Sequence, residues 1–501
     1  MIHSTYRELI QSDPEAATNL LLEKDREILK LQQHLINATK TRFGAKSEKL
    51  SVVTEQPVLF PVDELIEPAE QEELPTVTVP EHKRTKKRVR REIPEGTPVN
   101  RIEHPPTVTE CSCCSSELVK IRDEETKVLN YIPASFELEI HVRPVMGCNR
   151  CKESAPVATK LPVGIQLIER SPVGVGLLSY ILISKYQDHL PLHRLEGMFA
   201  RLGFEIPRQR MCDWLRNLSE IVHPLYRALK AELIREYYLQ ADETTLKIQD
   251  GLVAGKCHTG YLWGILAPPP LNLIYFHYAD TRSGDVPKTL LDLFKGVLQT
   301  DLYAGYNQVY VPEHAVRAGC WAHVRRKFID IQKLAPKADV NKILELIAEL
   351  YRAESKEQKP EVVAAARIKR SKPVLDKIHL HLCTWSARTL PSSEVQTAIK
   401  YALSQWEALS LFIYNPAIRL DNNLIENQMR PIAIGRKNWL FAGSHEGAMR
   451  AAMFYSLINS CRLNKVNTWK YFNDVLPKIQ VTSNDQMHLL LPNAWATQNK
   501  A

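Results

Sequence analysis

No run of this chain is apolar for long enough to span a bilayer. The opening residues, MIHSTYRELIQSDPE, are polar and soon acidic, where a secretory leader carries a positive end and an apolar stretch. These absences argue against membrane and secreted classes, and the expectation is a cytoplasmic protein. A strong charge of one sign is also missing. Lys and Arg number 65 against 57 Asp and Glu, a formal net charge of +8. Such an excess permits a polyanionic partner without demanding one. Ten cysteines in 501 residues are too few for a disulfide scaffold. Four of them fall in two close pairs, which suits metal binding in a reducing compartment. What is present is an ordinary globular composition, 44% hydrophobic and 24% charged, in a chain long enough for three or more domains.

Within residues 1–50, Leu21, Ile28 and Leu35 recur at heptad spacing with Leu31 between them, predicting a short amphipathic helix. So few heptads fit a coiled coil or a helix packed on its own protein equally well. Residues 51–98 predict a linker. Its stretch 54–81 holds eight acidic residues, five prolines and no Lys or Arg. It runs into KRTKKRVRR at 83–91, where Lys86, Lys87 and Arg88 sit among further cations. That run suits phosphate contacts without base specificity, or a solvated linker facing its acidic neighbour.

In residues 99–160, Cys111 and Cys114 form one C-x2-C knuckle and Cys148 and Cys151 a second. Two such knuckles supply four thiolates for a tetrahedral, structural Zn2+ with no open position. Cys113 is a spare thiol, and buried or incidental cysteines are the alternative. ETKVLNYI and FELEIHVRPV between the knuckles alternate like strands, the layout of a zinc ribbon. Residues 165–225 look helical. Leu192, Leu195, Met198 and Phe199 mark one helix, Gly203 and Pro207 a break, and Met211, Trp214 and Leu215 a second helix. This resembles a helix-turn-helix, with Arg208, Gln209 and Arg210 at the usual base-reading position, although many helical hairpins bind nothing.

Residues 232–330 change character. REYYLQADETTLKIQD, GYLWGILA and LNLIYFHYAD read as three strands, VPKTLLDLFKG as a helix, and GVLQTDLYAGY as a fourth strand ending in Asp301. AVRAGCWAHVRRKF leads from strand or turn into helix. A meander followed by alternating elements predicts a mixed α/β sheet. Asp242 lies mid-strand in the first. If the first and fourth strands are neighbours, Asp242 and Asp301 face each other and can hold Mg2+ or Mn2+ with water and phosphate positions open. With a third carboxylate they complete a two-ion site. Composition gives no preference among 57 acids for that third group. Glu426 is a candidate, because Asn422, Glu426 and Arg430 fall at i, i+4 and i+8 on one helical face. Arg436 and Lys437, with Asn438 and Trp439, mix cations with an aromatic, which suits a DNA strand. A salt-bridged surface helix also fits. Residues 331–414 read as a helical insertion, 415–445 as the second part of the core, and 446–501 as a C-terminal helical region.

The motifs DET at 242–244, TDLYAGY at 300–306, GCWAHVRRKF at 319–328 and DNNLIENQMRPIAIGRKNWLFAGS at 421–444 resemble the insertion sequence 66 family of transposases. KYQDHLPLHRLEGMFARLGFEI at 185–206 and FGAKSEKL at 43–50 add to that resemblance, which covers nearly the whole chain. It implies a ribonuclease H-like core with a DDE triad, Asp242, Asp301 and Glu426, using two Mg2+ or Mn2+ ions. Cys320 and His323 match the family's C-x-x-H pair, to which a zinc-assisting role and helix packing are both open. Ser115, Ser116 and Ala45 depart from the family pattern at turns and DNA contacts, not at the triad. The implied activity is cleavage at element ends followed by 3′-OH strand transfer into double-stranded target DNA. Arg430, Arg436 and Lys437 would hold phosphates. Joining two ends implies at least a dimer, accessory proteins are a further expectation, and the enzyme would work at the nucleoid. The competing expectations are a silent zinc and helix-turn-helix DNA-binding regulator and a coiled-coil interaction protein.

Overall fold

The computed structural model describes residues 164–249, 256–334, 338–354 and 359–499, together with 135–141, Val145–Met146, Val157–Ala158 and Glu27. The N-terminal amphipathic helix, the acidic linker, the basic run with Lys86, Lys87 and Arg88, and the cysteines Cys111, Cys114, Cys148 and Cys151 lie outside these residues. Where the sequence predicts a strand over FELEIHVRPV, residues 135–141 have no regular structure, and Val145–Met146 pairs antiparallel with Val157–Ala158. Leu138 and Ile140 are exposed at 84% and 77%, so the alternation meets no facing layer that would stabilise a longer strand. No helix among the described residues is long and apolar enough to cross a membrane.

Five strands form the central sheet: β1 Tyr238–Gln249, β2 Cys257–Ala267, β3 Leu273–Ala279, β4 Gly296–Gln299 and β5 Ala315–Ala318. Their order is β3-β2-β1-β4-β5. The first three make an antiparallel meander, while β4 runs parallel to β1 and β5 parallel to β4. The expected mixed sheet is therefore present. β1 is its centre and is buried on both faces through Ala241. Beyond that point it alternates, with Leu246 and Ile248 inside and Thr245, Lys247 and Gln249 outside.

Fourteen helices accompany the sheet among the described residues. Before it come α1 Val175–Tyr186, α2 Leu192–Arg201 and α3 Arg208–Ile234. The expected helix over VPKTLLDLFKG is shorter than its apolar spacing predicts, since α4 is Asp285–Leu290. The chain must turn there to enter β4 at Gly296. That residue has φ +151°, and a Cβ on it would meet Tyr237 O at 2.1 Å.

Between β5 and residue 414 the chain forms α5 Trp321–Leu334, α6 Ala338–Ala353, α7 Pro360–Ala366, α8 Lys372–Ala387, α9 Glu394–Leu403 and α10 Trp406–Ser410. Their core is continuous with the sheet's. Tyr238, Val297 and Ala318 pack in one cluster with Phe328, Ile343, Leu350, Ile378 and Ile399. Buried Arg367 closes it, pairing with both oxygens of Glu354 at 2.8 and 2.9 Å and donating to the Phe412 and Asn415 carbonyls.

After these helices come α11 Asn423–Trp439, α12 His445–Leu463, α13 Thr468–Ile479 and α14 Pro492–Gln498. α12 is apolar or small on all sides and nearly every residue from Ala451 to Cys461 is buried. It covers the free edge of the sheet. Ser456 and Ser460, one turn apart, accept hydrogen bonds from Phe276 N and Ile274 N of β3 at 2.8 and 3.0 Å. An edge strand that would otherwise present open donors is satisfied by side chains.

Candidate active site

Two segments share the pattern Leu-Gln-x-Asp, Leu239–Asp242 and Leu298–Asp301. Their strands pair parallel, with Leu239 opposite Leu298 and Gln240 opposite Gln299. Side chains alternate faces with period two, so Asp242, two residues beyond Gln240 within β1, continues on that glutamine's face. The sequence predicts Asp301 as the end of its strand; β4 stops at Gln299, and Asp301 starts the following loop. There its Oδ1 accepts from Tyr303 N at 3.0 Å. Asp242 Oδ1 accepts from Glu243 N at 2.9 Å.

The glutamines are the residues that sequence reasoning missed, and the repeated Leu-Gln-x-Asp was the available signal. Both are fully buried. Gln240 Nε2 donates to Gln299 Oε1 at 2.8 Å and to Asp421 O at 2.9 Å, and its Oε1 accepts from Ile425 N at 3.3 Å. Gln299 Nε2 donates to Gly319 O at 2.7 Å and Arg419 O at 2.8 Å. The pair beneath the aspartates thus grips the segment that starts α11, and this brings Glu426 to the site despite its distance in sequence. Gly264, the register partner of Asp242, lets α11 settle on the sheet. A Cβ there would meet Met429 Cε at 2.6 Å and Ile425 Cδ1 at 3.1 Å.

The residues before Glu426 anchor rather than ligate. Asp421 accepts from Tyr351 Oη of α6 at 2.8 Å and, in a local turn just ahead of α11, from Asn423 N at 3.2 Å. The sequence places Asn422 on an exposed polar face with Glu426 and Arg430. Asn422 is instead fully buried ahead of the helix, where its Oδ1 accepts from the Cys320 thiol at 3.0 Å. Burial pushes the Cys320 thiol up, so it remains a donor. Glu426 lies 3.2 Å from Arg326 and 3.7 Å from His323 Nε2, both on α5. Burial holds His323 below the ordinary imidazole range, with Glu426 opposing that shift.

Electrostatically the site is a cluster of acids. Burial raises the Asp242 carboxyl well above the usual range, and the nearby charges of Glu243, Glu426 and Asp301 add to that. Glu243, whose side chain is 3% exposed, is also raised by burial, though it is paired with Arg282 and accepts from Tyr306 Oη at 2.8 Å. Arg282 also stacks on the Tyr303 ring at 3.8 Å. We predict that Arg282→Ala lowers stability by about 2 kcal/mol, less than for a fully buried pair because Arg282 is itself half exposed. Denaturant midpoints of Arg282→Ala and of the double variant with Glu243→Gln check this, and the double variant should recover most of the loss.

The donor set fits hard divalent cations. Carboxylates crowd together, and among the described residues Glu426 Oε1, Asn422 Nδ2 and His323 Nδ1 are buried without hydrogen-bond partners. The other sequence-predicted contacts are dispersed. Arg208, Gln209 and Arg210 are exposed on the first turn of α3. That helix, at 27 residues, is longer than a helix-turn-helix reader needs, and its later part belongs to the core, where Tyr226 Oη donates to Phe276 O at 2.6 Å. Arg430 and Lys437 are exposed. Arg436 is half-buried and donates to Thr245 O and, at 2.7 Å, Thr245 Oγ1.

A family model described as "Transposase IS66 family" matches residues 170–450, the stretch that holds the sheet and α5 to α11. The chain belongs to the IS66 transposase family. Two further models of that family match its other parts. One, described as the zinc-finger binding domain of transposase IS66, covers 109–152, and one described as "Transposase C of IS166 homeodomain" covers 30–102. The first spans all four cysteines of the two knuckles, so a zinc-finger domain is present there. Among curated relatives, the uncharacterized protein y4hP of Sinorhizobium fredii is 32% identical over 446 residues, covering 83% of this chain and 79% of the relative. The uncharacterized protein y4jD of the same organism is 29% identical over 423 residues, covering 80% and 81%.

Proposed function

We propose that this IS66-family chain is an active DDE transposase that cleaves DNA at the ends of its element and joins the freed 3′-OH to target DNA. The observation that carries this is the gathering of Asp242 on β1 and Asp301 just past the end of its parallel neighbour β4, close enough with Glu426 to act on one another's charge, above the register-paired Gln240 and Gln299. The sheet order, a three-strand meander followed by two strands parallel to its first, supports a ribonuclease H-like core.

Asp242, Asp301 and Glu426 would hold two Mg2+ or Mn2+ ions. When bound, such ions supply Lewis-acid stabilisation for attacking and leaving oxygens. The chain's own residues do the rest. Burial and the neighbouring carboxylates raise the Asp242 carboxyl, and a bound cation would offset that crowding of negative charge. Arg326 and His323 restrain Glu426 from the insertion side. In the first reaction a water oxygen bonds to phosphorus and the bond to O3′ breaks; in the second, that O3′ displaces a target oxygen in line. Because two ends take part, a homodimer or larger assembly is proposed.

DNA is gripped, on this reading, by the exposed cations Arg208 and Arg210, by Arg430 and Lys437, and by Lys86, Lys87 and Arg88, with Gln209 reading base edges. Arg436 reaches a phosphate only by leaving Thr245. Four cysteines, Cys111, Cys114, Cys148 and Cys151, are proposed to hold a structural Zn2+. The expected result for Arg208→Ala with Arg210→Ala is weaker binding to every sequence and a salt slope shallower by about 2. Titrations of a duplex at several salt concentrations check this. An unchanged slope would remove α3 from the DNA interface. The experiment for the whole proposal is metal-dependent strand cleavage of duplexes carrying the element ends.

A further inference from the structure

A second cluster of metal-ligating side chains lies apart from the carboxylate site. We infer that His258, Asp280 and His445 form a surface site for a transition-metal ion of the zinc type. One ring nitrogen of each histidine and one oxygen of Asp280 all lie within 4.8 Å of one another. The three residues come from separate elements: His258 near the start of β2, Asp280 just past the end of β3, and His445 as the first residue of α12.

The local geometry is that of ligands sharing an ion rather than of a simple ion pair. His258 Nε2 lies 2.9 Å from Asp280 Oδ1, yet the contact lacks hydrogen-bond geometry, and this buried nitrogen has no hydrogen-bond partner among the described residues. The nitrogen and the oxygen are therefore close without the proton of one aiming at the other. Atoms each bound to one tetrahedral zinc at roughly 2.0–2.1 Å lie about 3.3 Å apart, close to this 2.9 Å spacing. The two imidazoles stack at 4.9 Å and 27° around that one carboxylate oxygen.

A supporting shell is also present. Tyr278 Oη lies 2.8 Å from His445 Nδ1 and fixes the ring. Its own ring lies across Gly260, where a Cβ would meet Tyr278 Cε2 at 2.6 Å. Any side chain at 260 would push Tyr278, and with it His445, away.

Two imidazoles and one carboxylate select zinc, nickel or copper over magnesium, so this site and the carboxylate cluster would sort cations by ligand chemistry. Three protein ligands leave a position for water or an outside donor. Because the ligands tie the start of α12 to the ends of β2 and β3, metal binding would stabilise the edge that α12 covers.

The test uses the full chain with excess Mg2+ present to fill the carboxylate cluster. Zinc content after equilibrium dialysis is measured for wild type, for His258→Gln with His445→Gln, and for Asp280→Asn. Each variant is expected to hold one equivalent less than wild type. With Co2+ in place of zinc, the spectrum lost between wild type and the double variant should contain ligand-field bands and no sulfur charge-transfer band, which separates this site from the cysteine knuckles. Melting temperatures with and without Zn2+ guard against misfolding: added Zn2+ should raise that of wild type by more than that of either variant, whose cysteine knuckles are unchanged. Equal zinc content in all three proteins, or a lost spectrum that carries sulfur bands, overturns the proposal. Neither result bears on cleavage, which the carboxylates govern.

Discussion

Asp301→Asn and Glu426→Gln should each lower metal-dependent strand cleavage by roughly 1000-fold or more while duplex affinity stays within a few-fold of wild type. Losing one ligand to a catalytic cation removes several kcal/mol of charge stabilisation, and each 1.36 kcal/mol is about tenfold in rate. Binding should persist because the exposed cations on α3 and around α11 lie outside the acid cluster. Asp242→Asn should show the same loss with an added effect on the metal-free protein. Its folded carboxyl is raised by burial and by Glu243, Glu426 and Asp301, so the folded state holds a proton more tightly than the unfolded state. The stabilising contribution of that proton is complete below the unfolded value, about pH 4, and is lost as pH rises through the folded value. At neutral pH Asp242→Asn should therefore melt a few degrees higher than metal-free wild type, with a shallower decline as pH rises. Glu243 and Asp421, both raised by burial, leave part of the slope in place. Gel analysis of cleavage products and melting across pH measure both effects. Full cleavage by any of the three variants would mean that the wrong acid has been chosen.

The second large effect concerns residues that touch no substrate. Gln299→Leu removes the donor to Gly319 O and Arg419 O, and Gln240→Leu removes the donor to Asp421 O and the acceptor for Ile425 N. Buried groups left unpaired cost about 1–3 kcal/mol each, so each variant should lose about 3–5 kcal/mol in denaturant unfolding. Cleavage should fall roughly 100-fold at temperatures where the variant remains folded, since a misplacement near 1 Å is enough for that. The two losses should not add, because each substitution disables the same network. If they do add, Glu426 is positioned by something other than the glutamines, and Gly264 beneath Met429 and Ile425 becomes the first place to look.

Much of the catalytic region was legible in the sequence. The alternation in LQADETTLKIQ, GYLWGILA and LNLIYFHYA exposes a meander, because one period-two pattern suits one half-buried sheet face. Asp242 stood out mid-strand and Asp301 beside the fourth strand, while Glu426 rested on its helical spacing with Asn422 and Arg430 and on the family resemblance. The apolar spacing of 331–414 read as helical, and helices occupy most of it. Strand ends were harder to read. β4 stops two residues before Asp301, since pairing with β1 and β5 ends there, and periodicity does not report pairing. The face of α11 was misjudged at Asn422. A polar residue on a charged helix reads as exposed unless its buried partner, here Cys320, is known.

The sequence alone therefore determined the element types and the knuckle cysteines from local spacing and residue chemistry, and the family and the three acids from its resemblance to the insertion sequence 66 transposases. Tertiary structure alone decided the parallel register that pairs Gln240 with Gln299, the hydrogen bonds from that pair to the segment before Glu426, and the meeting of His258, Asp280 and His445. Those depend on contacts between segments far apart in the chain, and neither hydrophobic period nor composition encodes which distant backbone group a buried side chain will find.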